Sequence, residues 1–435
     1  MKKRSGNFAN LLFWAGLMLV VMQSAALAQD RFPKPDFDSQ YRQPLTQTPP
    51  PASPWQEGAD VVVLALALGL TSFFAIKKRS RRGIWAMALF SVIYFGFMRE
   101  GCVCSVGSVQ NVSAALFDAG YVIPIGVLAF FVLPLIFTLL YGRTFCAAVC
   151  PLGAIQDLVM IKPVKVPEWL QEVLGLFRYI YLGFAILFAA TGTAFLVCRY
   201  DPFISIFRMS NEFGMILFSG GFLGLSILVA RPYCRFLCPY SVLLGWMSAL
   251  SRRHLSITPD TCHLCRLCEE SCPMGAISKP TPDALPVSRE QGGKRLAILL
   301  AVLPLLILAG GWGFSRLDLT FSKMHPTVNL AGQIAAEDAA GTPGLTLETR
   351  TFRSQGTPTE TLFTEAEGVR RRFRSGGWLL GAFLGLIFGI KLFQLNLFRR
   401  VAEYQPDREA CFSCGRCFSY CPNERVRLDQ LQNRY

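Results

Sequence analysis

The chain has 435 residues and a net charge of +14, with 52% hydrophobic and only 17% charged side chains. A soluble chain of this length would not be so apolar, so the composition excludes a soluble enzyme and predicts a polytopic membrane protein in contact with lipid. The basic residues lie beside apolar runs, as the positive-inside rule expects, and we therefore expect no nucleic-acid partner.

The first predicted element is a signal peptide over residues 1–28. Basic residues near the start precede an apolar core, and the small residues Ala26 and Ala28 fit a cleavage site. An uncleaved anchor helix is the alternative, and in both cases the chain continues outside the cytoplasm. Residues 29–58 are rich in proline and glutamine, which predicts an extended periplasmic linker.

Seven apolar segments follow, each near the length that a bilayer requires. They cover residues 60–76, 83–98, 122–141, 176–197, 212–230, 295–314 and 377–393. The basic run from Lys77 to Arg82 follows the first segment and identifies that end as cytoplasmic. The fold class is therefore predicted to be an all-α polytopic membrane protein of about seven transmembrane helices. Counting crossings from the basic run places a small, split α+β ferredoxin module of the bacterial type on the cytoplasmic face.

That module is predicted from two cysteine runs with identical spacing. They are Cys262-x2-Cys265-x2-Cys268-x3-Cys272-Pro273 and Cys411-x2-Cys414-x2-Cys417-x3-Cys421-Pro422. In bacterial ferredoxins three closely spaced thiolates bind one [4Fe–4S] cluster, and the fourth, before a proline, binds the neighbouring cluster. The expected ligands are Cys262, Cys265, Cys268 and Cys421 for cluster 1, and Cys411, Cys414, Cys417 and Cys272 for cluster 2. Structural zinc is the alternative, although zinc sites rarely use four thiols in so compact a run.

Two further cysteine pairs recur after apolar segments, each with an arginine three residues ahead. They are Cys146-x3-Cys150-Pro151 and Cys234-x3-Cys238-Pro239. Cysteines four residues apart share a face if the segment is helical, with Cβ atoms about 6 Å apart. The four thiols could therefore bind a third centre, either iron–sulfur or copper. The alternative is that they pack as small buried hydrophobic residues.

A fainter similarity relates the segment that begins at Cys104 to the segment that begins at Cys150, on the opposite membrane face. This relation is typical of inverted-topology repeats, which often build a site at the repeat interface. We expect Cys102, Cys104 and Cys198 to form an outer thiol set that faces the inner one. Simple packing is again the alternative.

The sequence also predicts the domain organisation and one absent cofactor. No haem is expected within the membrane, because the chain has three histidines and none lies in an apolar segment. The predicted domains are the signal peptide 1–28, the linker 29–58, a five-helix membrane domain 59–255, the first ferredoxin half 256–290, a transmembrane hairpin 291–397 with a periplasmic loop 315–376, and the second ferredoxin half 398–435.

These motifs together resemble the NosR/NapH-type membrane polyferredoxins over most of residues 60–435. The resemblance implies electron transfer between the quinol or cytoplasmic side and periplasmic redox proteins. NosR-like members carry a periplasmic flavin domain after the signal peptide, where this chain has only its short linker. The chain also lacks a Ser/Thr-Gly-Ala-Thr flavin-attachment sequence. We therefore expect no covalent FMN on this chain and a separate flavoprotein as a plausible partner.

The predicted function is electron transfer in the bacterial inner membrane, as a subunit rather than a stand-alone enzyme. Electrons would pass between a cytoplasmic donor or quinol and a periplasmic redox protein. Three alternatives remain open. A copper reduction or assembly factor would use the affinity of thiolates for Cu(I). A thiol–disulfide relay would use Cys102 and Cys104, and a membrane redox sensor would carry no steady flux.

Overall fold

The computed structural model describes residues 54–101, 104–208, 213–259, 262–281, 289–396 and 401–432. The predicted signal peptide, most of the predicted linker and Cys102 lie outside these ranges. Within them the protein is almost entirely helical, as the sequence predicts.

The helices before the first ferredoxin run form one bundle. They are α1 (Pro54–Ser72), α2 (Arg81–Ser91), α3 (Ser105–Phe117), α4 (Ile125–Tyr141), α5 (Pro151–Val159), α6 (Glu168–Ala190), α7 (Leu196–Tyr200), α8 (Ile204–Phe207), α9 (Phe213–Leu228), α10 (Pro232–Phe236) and α11 (Tyr240–Ala249). Three π-helical turns interrupt the bundle, at Phe73–Lys77, Val92–Met98 and Phe145–Val149. Such turns are rare and often occur at functional sites, and the third contains Cys146.

The rest of the chain supplies the ferredoxin halves, a long hairpin of two helices, and a cap formed by the short helices between residues 318 and 354. Its elements are α12 (Leu267–Ser271), β1 (Ile277–Ser278), α13 (Arg289–Ser315), α14 (Asp318–Ser322), α15 (Pro326–Ala340), α16 (Leu347–Ser354), α17 (Thr359–Asn396), β2 (Gln405–Pro406), α18 (Arg416–Tyr420) and α19 (Pro422–Gln432).

Four of the described helices are long and apolar enough to cross a membrane. They are Trp55–Lys77, Glu168–Ala190, Gln291–Ser315 and Thr359–Asn396. Two shorter apolar helices, Ile125–Tyr141 and Phe213–Leu228, occupy further predicted segments. The remaining predicted segment contains α2 and the π-helical turn that follows it. The count of seven spans stays a prediction.

The two ferredoxin halves meet although the long hairpin separates them in sequence. Strand β1 pairs antiparallel with β2, with Ile277 opposite Pro406. Helices α12 and α18, one from each half, also pack together. The module is attached to the bundle by a buried ion pair of 2.5 Å between Arg79 and Glu424. Arg79 lies two residues after the first span, Trp55–Lys77, so this end of the span lies against the ferredoxin module.

The cap lies at the other end of the long hairpin. Helices α13 and α17 pack with their backbones in contact. The contact is so close that a Cβ on Gly381 would collide with the carbonyl oxygen of Gly310. Beyond them, Ile334 of α15 packs against Leu362 and Ala366, near the start of α17. Helix α17 has 38 residues, a length of about 57 Å at 1.5 Å per residue. The cap and the ferredoxin module are therefore at opposite ends of the molecule.

Candidate functional site

The first three cysteines of one run and the last cysteine of the other surround a single cavity. Its volume is about 370 Å³, and its lining includes Cys262, Cys265, Cys268 and Cys421. Burial, together with the nearby Cys262, Cys265 and Cys421, raises the pKa of the Cys268 thiol to about 11. The structure thus brings together the four thiols expected to bind cluster 1.

The reciprocal set lies deeper, against the helical bundle. Burial raises the pKa of Cys417 well above its usual value, and Cys411, Cys414 and Cys272 act in the same direction. Cys272 therefore lies beside the three thiols of the other run, as crossed ligation requires. The backbone N–H of Ser413 donates to Cys411 Sγ at 3.4 Å, the kind of contact that stabilises sulfur ligands of a cluster.

The tight winding of both runs follows from left-handed backbone at matching positions. Leu264 and Ser413 each have φ 52° between the first two cysteines of their runs. Arg266 (φ 65°) and Gly415 (φ 76°) repeat this one loop later. Positive φ costs about 1–3 kcal/mol for most side chains and is kept where the surroundings impose it. These loops are thus held in the conformation that turns closely spaced thiols toward one centre.

No group of three or more cysteine, histidine or carboxylate side chains lies at the spacing of a single metal ion, within the ranges that the structure describes. The cysteines of cluster 1 instead surround their cavity, whose volume suits a body larger than one ion. The residues present therefore fit a [4Fe–4S] cluster, which binds each thiolate through a separate iron.

The four cysteines of the paired motifs are buried and lie together where the bundle meets the ferredoxin module. Burial raises the pKa of Cys150 well above its usual value, and the neighbouring Cys234, Cys146 and Cys238 thiols act in the same direction. Cys146 lies in a π-helical turn, and Cys150 follows it in an extended conformation. The face sharing expected from a regular helix is thus replaced by a wider, π-helical turn, and the four thiols remain within electrostatic range of one another.

A polar side chain that the sequence did not single out contacts one of these thiols. Gln156 donates from Nε2 to Cys234 Sγ at 3.3 Å, and its Oε1 accepts from the Tyr233 N–H at 3.2 Å. Arg231 is held by Asp157, with Nε 2.9 Å from Oδ1. Gln156 and Asp157 fall within the segment that begins at Cys150, so the sequence repeat was the available signal.

The part of the bundle that contains Cys104 and Cys198 has a glutamine hydrogen bond of the same kind. Gln110 Oε1 accepts from the Val197 N–H at 2.9 Å, one residue before Cys198. Gln156 makes the equivalent bond one residue before Cys234. Gln110 Nε2 is buried and has no hydrogen-bond partner among the described residues. The predicted inverted repeat therefore has a counterpart in hydrogen bonding as well as in sequence.

Cys104 and Cys198 line a second cavity, at the end of the bundle away from the ferredoxin module. Its volume is about 280 Å³, and its lining also includes Asp60, Arg99 and Asp201. A narrow cavity of about 20 Å³ shares Cys104 and Asp201 and reaches Cys150 of the inner set. The outer and inner cysteines are thus connected through the bundle.

Asp201 is a buried carboxyl group in the lining of both of these cavities. Its Oδ1 accepts from the Phe203 N–H at 2.9 Å, whereas Oδ2 is buried without a hydrogen-bond partner among the described residues. Burial raises the pKa of Asp201 to about 7. A single aspartate in a loop gives no sequence signal, and this residue was not predicted.

Comparison with known proteins gives the chemistry that these cysteines serve. A family model described as "4Fe-4S binding domain" matches residues 123–167 and 212–258, which contain the two Cys-x3-Cys-Pro motifs. A second model with the same description matches residues 255–278, which contain the first ferredoxin run. No solved structure matches the chain.

Curated relatives extend the comparison. An uncharacterised protein of Methanocaldococcus jannaschii is 28% identical over 42% of this chain and 77% of its own length. Protein NirI of Paracoccus denitrificans is 30% identical over 32% of this chain and 22% of its own length. Regulatory protein NosR of Stutzerimonas stutzeri is 26% identical over 50% of this chain and 32% of its own length. The chain therefore matches only a minor part of NirI and NosR.

The fold, the cysteine sets and these matches define a membrane-bound protein with 4Fe–4S binding domains and an iron–sulfur electron-transfer role. The chain is similar to the NosR/NapH-type membrane ferredoxins, as the arrangement of its motifs predicts.

Proposed function

We propose that the protein carries electrons across the bacterial inner membrane, between two cytoplasmic [4Fe–4S] clusters and a periplasmic redox partner. The observation that carries this proposal is the row of thiol sets through the molecule. The clusters would be held at one end, the inner set of Cys146, Cys150, Cys234 and Cys238 lies next to them, and the outer cavity with Cys104 and Cys198 lies beyond it.

In this mechanism the clusters supply the one-electron chemistry, and the protein supplies position, burial and charge. Cys262, Cys265, Cys268 and Cys421 would hold cluster 1 in an open cavity, where a donor can approach. Cys411, Cys414, Cys417 and Cys272 would hold cluster 2 against the bundle. The inner set would hold a further iron–sulfur or copper centre, with Gln156 as hydrogen-bond donor to one sulfur.

The outer cavity would serve the periplasmic end of the path. Its mixed lining of apolar side chains, Asp201 and the Arg99–Asp60 ion pair suits a redox molecule with polar groups on an apolar body. A periplasmic flavoprotein would exchange electrons there. The unpartnered Oδ2 of Asp201 would hydrogen-bond to such a molecule.

The proposed orientation follows the sequence. Signal peptide 1–28 would direct the chain across the membrane, so that linker 29–58 would lie in the periplasm. Halves 256–290 and 398–435 would lie in the cytoplasm, and loop 315–376 would form the periplasmic cap. The ion pair between Arg79 and Glu424 supports this arrangement, because it attaches the basic cytoplasmic end of the first span to the second ferredoxin half.

Topology is tested with alkaline phosphatase, which is active only in the periplasm. Fusions after Asn111, Arg208 or Gln355 should be active, and fusions after Lys162 or Pro259 should be inactive. A fusion after Tyr435 decides the matter, because it should also be inactive. Activity there would place the second ferredoxin run outside and contradict the proposed orientation.

Electron transfer is tested with the purified full chain in sealed vesicles. Ferricyanide is trapped inside and dithionite is added outside, so that ferricyanide can be reduced only by electrons that cross the bilayer. We expect reduction that depends on the protein and is far faster than in protein-free vesicles. Equal rates in the two preparations would contradict the proposed function, and detergent-opened vesicles provide the maximum signal.

A further inference from the structure

Three buried guanidinium groups lie between cluster 2 and the inner thiol set. We name Arg143, Arg231 and Arg235 the guanidinium layer. Arg143 and Arg231 have no exposed surface, and Arg235 is only 7% exposed. Arg143 and Arg231 each lie three residues before the first cysteine of a Cys-x3-Cys-Pro motif, and Arg235 lies between the two cysteines of the second motif.

Arg143 contacts both neighbouring sites. Its Nη2 lies 3.8 Å from Cys146 Sγ, and its guanidinium lies 4.1 Å from the centroid of the Phe412 ring, next to Cys411. Its other hydrogen bonds go to neutral oxygens, at 3.1 Å to the Glu409 carbonyl and 2.5 Å to Ser241 Oγ. Within the described part of the chain, Arg143 forms no ion pair with a carboxylate.

The other two members extend the layer across cluster 2. Arg231 pairs with Asp157 and lies 5.6 Å from the Phe412 ring, so Phe412 stands between two guanidinium groups. Arg235 donates to the neutral side-chain oxygen of Gln171. Arg235 also interacts electrostatically with Cys272, a ligand expected for cluster 2.

Near cluster 1, the buried guanidinium of Arg79 donates to the Ser256 and Ile257 carbonyl oxygens of the cavity lining. Its charge is offset by the buried ion pair with Glu424. The Arg266 side chain beside cluster 1 is 65% exposed and pairs with Glu269. Arg408 in the cavity lining is also exposed, and Glu403 in the same lining adds a carboxylate. Water and counter-ions screen such exposed charges strongly, whereas buried charges are screened much less. The positive potential is therefore concentrated at cluster 2.

The physical consequence concerns which cluster holds an electron more firmly. Reducing a cluster adds one negative charge, and net charge and hydrogen bonds to sulfur set its potential. A buried cation without a carboxylate partner is left uncompensated until a negative group lies beside it. Arg143 and Arg235 therefore favour the reduced form of cluster 2 and of the centre behind it.

We infer that the guanidinium layer sets the direction of electron flow, from cluster 1 to cluster 2 and on to the inner thiol centre. A one-electron donor of the iron–sulfur or flavin class is oxidised at the open cavity and reduces cluster 1. The electron would pass from the cluster held by Cys262, Cys265, Cys268 and Cys421 to the one held by Cys411, Cys414, Cys417 and Cys272, and then toward the outer cavity for a periplasmic acceptor. This inference rests on the proposed function for the electron-transfer path, and adds the direction in which electrons move along it.

The test is an EPR redox titration of the purified full chain, with signals assigned through Cys265→Ser for cluster 1 and Cys414→Ser for cluster 2. Cluster 2 should have the higher midpoint potential. Arg143→Met should change its oxidised-to-reduced equilibrium about tenfold toward the oxidised form, which is about 59 mV for a one-electron couple. Arg143→Lys keeps the charge and should restore most of the shift.

Arg266→Met is the matched control, because it removes an exposed guanidinium beside cluster 1 and should cause a smaller shift. If Arg143→Met does not fold, Arg235→Met tests the same charge effect next to Cys272. A midpoint potential of cluster 2 at or below that of cluster 1 would overturn the inference. It would also be overturned if the potential of cluster 2 were the same in every folded variant of the guanidinium layer as in the unmodified protein. These potentials are measured without any crossing of a bilayer, so failure here is distinct from failure of transport in vesicles.

Discussion

Replacing Cys272 by serine should abolish cluster 2 and leave cluster 1 in place, although Cys272 belongs to the first cysteine run. The reason is geometric, since Cys272 lies beside Cys411, Cys414 and Cys417 in the folded protein. A serine hydroxyl is far harder to deprotonate than a thiol and is a much weaker ligand for cluster iron than a thiolate. EPR of dithionite-reduced membranes should then show one [4Fe–4S] signal instead of two, with about half the ferredoxin iron lost.

Two reference variants make the result unambiguous. Cys265→Ser must remove cluster 1 and Cys414→Ser must remove cluster 2, whether ligation is crossed or not. Crossed ligation predicts that the Cys272→Ser spectrum matches that of Cys414→Ser, and that Cys421→Ser matches Cys265→Ser. The opposite pairing would show that each run binds its own cluster. Cys104→Ser, far from both runs, controls for the general effect of losing a thiol.

The ferredoxin module was the part of the protein best predicted from the sequence, because its cluster ligands are cysteines only a few residues apart. Three cysteines at intervals of three residues force the chain to wind around one centre, and the winding is visible at Leu264 and Ser413. The sequence did not predict which residues of β1 and β2 face each other. Each strand is only two residues long, too short for the alternation by which strands are recognised.

The sequence predicted less about the surroundings of the inner thiols, because these depend on contacts between distant residues. Phe412 comes to lie between Arg143 and Arg231 only after the second ferredoxin half has docked. The segment 83–98 likewise has the composition of a regular span, but the structure ends it in the π-helical turn Val92–Met98. Hydropathy reports how apolar a segment is and carries no information on where its helix changes pitch.

The inner thiol set allows a second large effect to be predicted. Replacing Cys146, Cys150, Cys234 and Cys238 together by alanine should leave both ferredoxin EPR signals and stop electron transfer into the vesicle interior. The apolar core of the bilayer is about 30 Å thick, and the inner set is the only group of thiols that the structure describes between the clusters and the outer cavity. Without it the path has no intermediate centre.

Metal analysis of the same variant distinguishes what the four thiols hold. Iron should fall beyond the ferredoxin content if the centre is iron–sulfur, and copper should fall if the soft thiolates bind Cu(I). The matched control is Val149→Ala with Leu237→Ala, which removes apolar volume from the same two motifs and keeps every thiol. That control should retain metal and electron transfer if the thiols act as ligands. Unchanged metal and unchanged transfer in the quadruple variant would instead assign the four cysteines to packing, because buried cysteine is also a good small hydrophobic residue.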